Sequence, residues 1–101
     1  MARRFLRITE VKKICDVDAK FVLRLEREQI ISPIIRGRKK VYPPDQVERV
    51  RVARLLMQEM GVNLEGIEVA LHMREQMIAM QRQFTEILRR LGDQLKHSRP
   101  T

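Results

Sequence analysis

Four cationic residues stand within five consecutive positions, Arg36, Arg38, Lys39 and Lys40, with Gly37 between the first two. Guanidinium and ammonium groups at this density are typical of surfaces that contact phosphates. The cluster therefore predicts binding to a polyanion rather than the making or breaking of covalent bonds. A solvated loop is the alternative, and such a loop has no need of four cations.

The charge of the whole chain supports a polyanionic partner. The 101 residues carry 21 Lys and Arg against 13 Asp and Glu, a net charge of +8. Residues 1–40 hold 12 cations and 5 acids, which is +7 of the total. Nucleic acid is the first choice of partner and an anionic membrane surface the second. No apolar run approaches the roughly 20 residues of a membrane span, so we expect no membrane partner and a cytoplasmic location.

Few residues are suited to catalysis or to metal binding. Cys15 is the one cysteine, which excludes an internal disulfide, and its apolar helix position predicts a buried side chain. His72 and His97 are far apart and have no second ligand type at metal spacing. We therefore predict no catalytic residues, no metal, no cofactor and no enzymatic activity.

Two short helices joined by a tight turn are predicted near the start of the chain. Apolar residues at 8, 11, 14 and 15 share one helix face, and Thr9 is placed to cap that helix. The sequence Asp16-Val17-Asp18 then interrupts the pattern, and Asp18 is suited to cap a second helix over 19–28. This spacing is typical of a helix-turn-helix.

The second helix has an apolar face and a cationic face. Phe21, Val22 and Leu25 share the apolar face. The other face is available to a partner, although ordinary solvation is the alternative interpretation. The residues that point away from the apolar face are Lys20, Leu23, Arg24, Arg27 and Glu28.

The cationic cluster falls in a predicted β-hairpin. Residues 30–35 are β-branched and extended, Arg36-Gly37-Arg38 supplies a turn, and residues 39–42 form the second strand. Pro44 then suits the first turn of a third helix, which runs to Met60 and ends at Gly61. A hairpin with a basic tip beside a helix-turn-helix is suited to grip phosphates next to the groove that the helix enters.

A long helix is predicted from Leu64 to about His97, and its apolar heptad pattern extends beyond what the first 60 residues could cover. We therefore predict that a second copy of the chain covers it. Arg74 and Gln81 interrupt the apolar pattern. The dimerisation residues are predicted to be Ala70, Met77, Phe84, Leu88, Leu91 and Leu95.

The predicted fold is mostly α. It consists of a winged helix-turn-helix over residues 1–63, with a small β-hairpin wing, and a long C-terminal dimerisation helix over residues 64–101.

Three stretches carry a family resemblance: residues 8–11, residues 25–33 and residues 38–47. Their order and spacing resemble the winged-helix DNA-binding domain of the MerR family of bacterial transcription regulators. The stretch 61–71, with its Asn-Leu-x-Gly-Ile segment, resembles more narrowly the branch that contains the heat-shock repressor HspR and the chaperone modulator CbpM.

The resemblance implies a dimer on double-stranded DNA, with the second helix of each subunit in successive major grooves and the wings on flanking phosphates. By position, it implies DNA contacts from five wing residues and from Lys20, Leu23, Arg24 and Arg27 of the second helix. The chain departs from the family in one place, because Leu23-Arg24-Leu25-Glu26 stands where members usually have Arg-Tyr-Tyr-Glu. The five wing residues are Arg36, Arg38, Lys39, Lys40 and Tyr42.

A second function is implied by the same branch. Proteins similar to CbpM bind the J domain of a DnaJ-type co-chaperone, and the HspR-like stretch implies a chaperone partner of the DnaK or DnaJ type. A J domain has a basic face, so a protein that covers this face is expected to be acidic, whereas residues 1–40 are strongly basic. The charge therefore favours a DNA-binding, chaperone-linked repressor over a J-domain modulator.

Overall fold

A computed structural model describes residues 4–97 of the chain. Helix α1 covers Ile8–Cys15, α2 covers Ala19–Arg27, and the strands β1 and β2 cover Ile34–Arg36 and Lys39–Val41. Helix α3 covers Pro44–Arg54 and continues as a π-helical stretch over Leu55–Glu59, and α4 covers Leu64–His97. The predicted mostly α fold with a small antiparallel hairpin and a long C-terminal helix is confirmed.

The helix-turn-helix forms because two aspartates end one helix and begin the next. Asp16 adopts a left-handed conformation (φ 55°) after α1, and the Oδ1 of Asp18 accepts the Phe21 N–H at 2.8 Å as the cap of α2. The predicted cap at Thr9 is wrong. Helix α1 already begins at Ile8, and the Glu10 carboxylate accepts the N–H of Arg7 at 3.1 Å instead.

The end of α2 turns the chain towards the core through a residue in a costly conformation. Gln29 has φ 60°, and the Ile30 N–H donates to the Leu25 carbonyl at 2.8 Å while the Gln29 N–H donates to the Glu26 carbonyl at 3.0 Å. This pair of bonds is the Schellman motif, in which glycine usually occupies the left-handed position. The motif buries Ile30 and, one residue later, Ile31.

The hairpin is shorter than predicted. Ile30 and Ile31 lie in the core instead of in a strand, because the end of α2 directs them inward. Arg36, predicted in the turn, pairs with Lys39, and the two-residue turn at Gly37 and Arg38 has positive φ at both positions (55° and 66°). Positive φ at both positions is typical of a type I′ turn, whose twist matches that of the strands.

The segment before α1 extends the small sheet. Leu6 and Tyr42 form an isolated antiparallel bridge, with N–H···O distances of 3.0 and 2.7 Å. Leu6 and Tyr42 belong to a single buried core. All three short helices, the hairpin and the start of α4 contribute side chains to it. Its members are Leu6, Val11, Cys15, Val22, Leu25, Ile30, Ile31, Tyr42, Val50, Ala53, Ile67 and Leu71.

Cys15 is buried, as predicted. Its thiol Sγ lies 3.7 Å from the carbonyl oxygen of Val47, and burial raises the pKa of this thiol. Both features are those of a small core residue rather than of a reactive thiolate.

The connection between α3 and α4 is fixed by a glycine, an asparagine and a second glycine. Gly61 takes φ 68°, and the Oδ1 of Asn63 accepts the Gly66 N–H at 2.8 Å as the cap of α4. A Cβ atom at Gly66 would lie 2.7 Å from the Cγ1 of Val62 and 3.2 Å from the capping Oδ1 of Asn63, so a larger residue would displace one of these side chains. The predicted roles of Gly61 and Asn63 are confirmed.

The chain divides after Leu71 into two units. In the first unit, Ile67 and Leu71 of α4 are buried in the core described above. The second unit is the remainder of α4, in which none of the described side chains is buried. The domain boundary expected after residue 63 stays a prediction, and residues 1–3 and 98–101 of the two expected domains lie outside the described part of the chain. None of the described helices has the length and apolarity needed to cross a bilayer.

We predict that Gln29→Gly stabilises the protein. A non-glycine residue pays about 1 kcal/mol for a left-handed conformation, and Gln29 is exposed, so little packing is lost. Urea unfolding at a fixed protein concentration should show the free energy of unfolding rising by about 1 kcal/mol. Glu28→Gly, one residue earlier at φ −85°, is the matched control and should give no gain. Equal effects of the two substitutions would contradict the conclusion that Gln29 is held in an unfavourable left-handed conformation.

Candidate nucleic-acid interface

Helix α2 presents one cationic face to solvent. The face is defined by Lys20, Leu23, Arg24 and Arg27, whose spacing places them on adjacent turns of one side, and all four are exposed. Val22 and Leu25 are fully buried on the opposite side. The predicted division of α2 into a core face and an outward face is confirmed.

The three cations of this face form no ion pair with any residue between 4 and 97. The face lines a shallow groove whose other residues come from the helix-turn-helix and the π-helical stretch. The two acids in the groove already have partners, since Asp18 caps α2 and Asp16 lies 3.4 Å from the guanidinium of Arg54. The groove residues outside the cationic face are Lys12, Asp16, Val17, Asp18, Phe21 and Gln58.

The four cations of the hairpin differ in how they are held. Arg38 at the turn and Lys39 at the start of β2 are exposed and form no ion pair within the described chain. The guanidinium of Arg36 lies over the ring of Phe5, 4.1 Å from its centroid, which restricts its motion. Lys40 is already paired, because its Nζ lies 2.6 Å from the Oε1 of Glu26. Arg38 and Lys39 are therefore the two hairpin cations most available to an anion.

Glu26 joins α2 to the hairpin. Its Oε1 accepts from Lys40 Nζ at 2.6 Å, and its Oε2 accepts from the Tyr42 hydroxyl at 3.0 Å. Lys40 and Tyr42 are two residues apart on the β2 side of the hairpin, so both side chains point to the same face. The carboxylate is only partly exposed, and it fixes the hairpin against the helix that carries the cationic face.

The prediction that Tyr42 contacts DNA is wrong. Its side chain is fully buried, and its hydroxyl is occupied by Glu26, so no part of it faces a partner. Burial raises the pKa of this phenol strongly, and the hydrogen bond and the charge of Glu26 raise it further.

The sequence interpretation missed the role of Glu26, which it placed only within the motif 23–26. No signal in the sequence pointed to it, because a lysine and a tyrosine two residues apart are as readily solvated as bonded to a carboxylate.

The second unit carries a separate apolar surface. Five of the six predicted dimerisation residues are between 50% and 69% exposed, and Ala70, in the first unit, is half-buried. Met73, Met80 and Ile87 are exposed as well. The five exposed dimerisation residues are Met77, Phe84, Leu88, Leu91 and Leu95.

Four charged residues of the second unit form ion pairs on the side of α4 opposite the apolar heptad positions: Glu86, Arg89, Arg90 and Asp93. Glu86 accepts hydrogen bonds from Arg89 at 2.6 Å and from Arg90 at 3.2 Å, and Arg89 also pairs with Asp93 at 3.3 Å. The bonds from Arg89 and Arg90 lower the pKa of the Glu86 carboxyl. Helix α4 is therefore amphipathic beyond Leu71, with its ion pairs away from the apolar positions.

No group of three or more His, Cys, Asp or Glu in the described chain is arranged to hold a metal ion. What the described surface does offer is exposed cations on two neighbouring elements and an apolar helix face.

Comparison with known proteins identifies one family. The model of the family described as MerR HTH family regulatory protein matches residues 6–90, well over half of the chain. The match includes all of α1, α2, the hairpin and α3, and most of α4. Searches of curated proteins and of solved structures returned no significant match.

We predict that Tyr42 stays protonated in the folded protein well above pH 10. The chain has one tyrosine and no tryptophan, so ultraviolet absorbance follows this phenol alone. Because the folded state raises its pKa, its contribution to stability is complete below about pH 10 and is lost as the pH rises further. Folded protein should therefore ionise at higher pH than protein in urea, and the melting temperature should fall above pH 10.

Glu26→Gln tests the cause of this shift. Removing the carboxylate charge should lower the pKa of Tyr42 in the folded protein but leave it above its ordinary value, since burial remains. Glu28→Gln makes the same charge change at an exposed position of the same helix end and should leave the titration unchanged. Identical titrations of the two variants would show that Glu26 does not hold the hydroxyl.

Proposed function

This chain belongs to the family of MerR HTH regulatory proteins, and we propose that it binds double-stranded DNA as a homodimer to repress transcription of chaperone-linked genes. Regulators of this family bind DNA, and the proposal starts from this property. What we propose beyond it is the homodimer, the residues that contact DNA and the kind of gene that is repressed. The proposal includes a cytoplasmic location, which is where a bacterial regulator of this family would meet DNA.

The observation that carries the proposal is the pairing of the cationic face of α2 with the hairpin through Glu26. Helix α2 supplies three cations without ion pairs in the described chain, and the hairpin beside it supplies Arg38 and Lys39. Two adjacent elements with uncompensated charge suit a duplex, whose phosphates line both edges of the major groove. Helix α2 enters this groove, and the hairpin contacts the flanking backbone.

The contacts divide by chemistry. Lys20, Arg24 and Arg27 extend from the helix that enters the groove, where arginine and lysine also donate to purine edges. Arg38 and Lys39 contact phosphates and carry no sequence information. Arg36 adds a cation held over Phe5, and Lys40 contributes mainly by fixing the hairpin, because Glu26 compensates its charge.

Dimerisation is proposed from the exposed apolar face of α4. A face that repeats in heptads and is left uncovered within the described chain is unfavourable in water, and a second copy offers the same face in return. The ion pairs around Glu86 and Arg89 stay in solvent in such an arrangement. The dimer presents α2 twice, as a two-fold symmetric DNA site requires.

The link to chaperones rests on the segment 61–71 and its resemblance to the HspR-containing branch. In this chain the segment forms the capped start of α4, where Asn63 and Gly66 have defined structural roles. The alternative from the same branch is a modulator that binds the J domain of a co-chaperone. The uncompensated cations of α2 and the hairpin favour DNA over the basic face of a J domain.

We predict that Arg38→Ala with Lys39→Ala weakens binding to every duplex alike. Each neutralised phosphate contributes a slope of about −0.9 to log affinity against log salt concentration, so a dimer that loses four contacts should show a slope shallower by about 3.6. Fluorescence anisotropy with a labelled duplex at several salt concentrations measures this slope.

Arg82→Ala with Lys96→Ala is the control for total charge. It removes the same charge from exposed positions of α4 outside the apolar heptad positions, and it should change the slope far less. Equal slopes for the two double variants would remove the hairpin from the interface. Weak, salt-insensitive duplex binding by the unaltered protein, together with tight binding to a J domain, would favour the alternative function.

We predict that Phe84→Glu with Leu91→Glu converts the dimer to monomers, because either orientation of the two helices would bury four carboxylates among the apolar heptad positions. Sedimentation equilibrium should show the mass of one chain. Ala79→Glu with Gln83→Glu adds the same charge outside the apolar heptad positions and should stay dimeric. A dimer that survives the first pair of substitutions would contradict the proposed seam.

A further inference from the structure

Leu23 is an apolar side chain on the cationic face of α2, between Lys20 and Arg27 along the helix. It is 44% exposed, and the groove-lining cations Lys20, Arg24 and Arg27 stand three residues before it, one after it and four after it. The core does not need it, because Val22 and Leu25 fill the buried side of the same helix. Its exposed part is therefore available to an apolar group of whatever partner the surrounding cations bind.

The major groove of DNA offers one apolar group on its base edges, the 5-methyl group of thymine. The cations around Leu23 are suited to phosphates and purine edges, whereas an isobutyl group has no hydrogen bond to offer either. We propose that Leu23 recognises the methyl group of a thymine, which makes it a specificity-determining residue. This inference rests on the proposed function, since it requires α2 to lie in the major groove.

Deoxyuridine provides a direct probe, because it differs from thymidine only by the absence of this methyl group. A duplex is first selected from a random-sequence library with the unaltered protein. Each thymine of one half-site is then replaced singly by deoxyuridine, and affinities are compared by fluorescence anisotropy at one salt concentration. At one thymine position the replacement should lower affinity about fourfold, because burying one methyl group contributes about 0.8 kcal/mol of binding free energy.

Leu23→Ala should abolish this difference, so that the thymine and deoxyuridine duplexes bind equally. Ile35→Ala is the matched control, since Ile35 is another exposed apolar residue, on β1 of the hairpin, and its loss should leave the fourfold difference in place. Leu23→Arg, which replaces the apolar group by a donor, should also lose the difference. Thermal melting checks that each variant folds.

The outcomes separate this inference from the proposed function. A selected duplex that binds equally well with every thymine replaced in turn overturns the role of Leu23 and leaves DNA binding intact. A fourfold difference that persists in Leu23→Ala also overturns it, because another residue then contacts the methyl group. If selection yields no bound duplex, the proposed function fails first and this inference fails with it.

Discussion

The carboxylate of Glu26 is the contact on which the arrangement of the candidate interface depends. A three-residue strand pair with a two-residue turn has little stability of its own. Its position comes from the bonds of Lys40 and Tyr42 to one side chain of α2, and from the bridge between Tyr42 and Leu6. The same carboxylate also compensates one of the hairpin cations, so the hairpin is held in place at the cost of one charge that would otherwise face a polyanion.

The elements of the fold follow closely from local sequence signals. Asp18, Gly61 and Asn63 start and end helices where their side chains and φ angles allow, and the long apolar repeat predicts α4 from Leu64 to His97. The failures were confined to short segments. Ile30 and Ile31 have the composition of a strand, but the Schellman motif at Gln29 directs them into the core, and a conformation that usually requires glycine is difficult to foresee at a glutamine.

The interface was predictable in part. Helical spacing separates Lys20, Leu23, Arg24 and Arg27 from the buried Val22 and Leu25, so this face could be derived from the sequence and is exposed in the structure. The hairpin could not be resolved residue by residue, because its four cations look equivalent along the chain. Only the folded arrangement distinguishes Arg38 and Lys39 from Lys40, which is paired with Glu26, and from Arg36, which stacks on Phe5. Tyr42 was assigned to the DNA interface by resemblance alone. Its burial and the hydrogen bond from its hydroxyl to Glu26 are features of the folded chain that the sequence does not indicate.

The exposed face of α4 and the cations of α2 and the hairpin together support one account, in which two copies of the chain grip one duplex. The mass of the complex with a selected duplex, measured by native mass spectrometry, tests this account most directly. It predicts two chains on one duplex, with free protein also present as pairs of chains. A complex that contains a single chain, or protein that stays a monomer with and without the duplex, would contradict it.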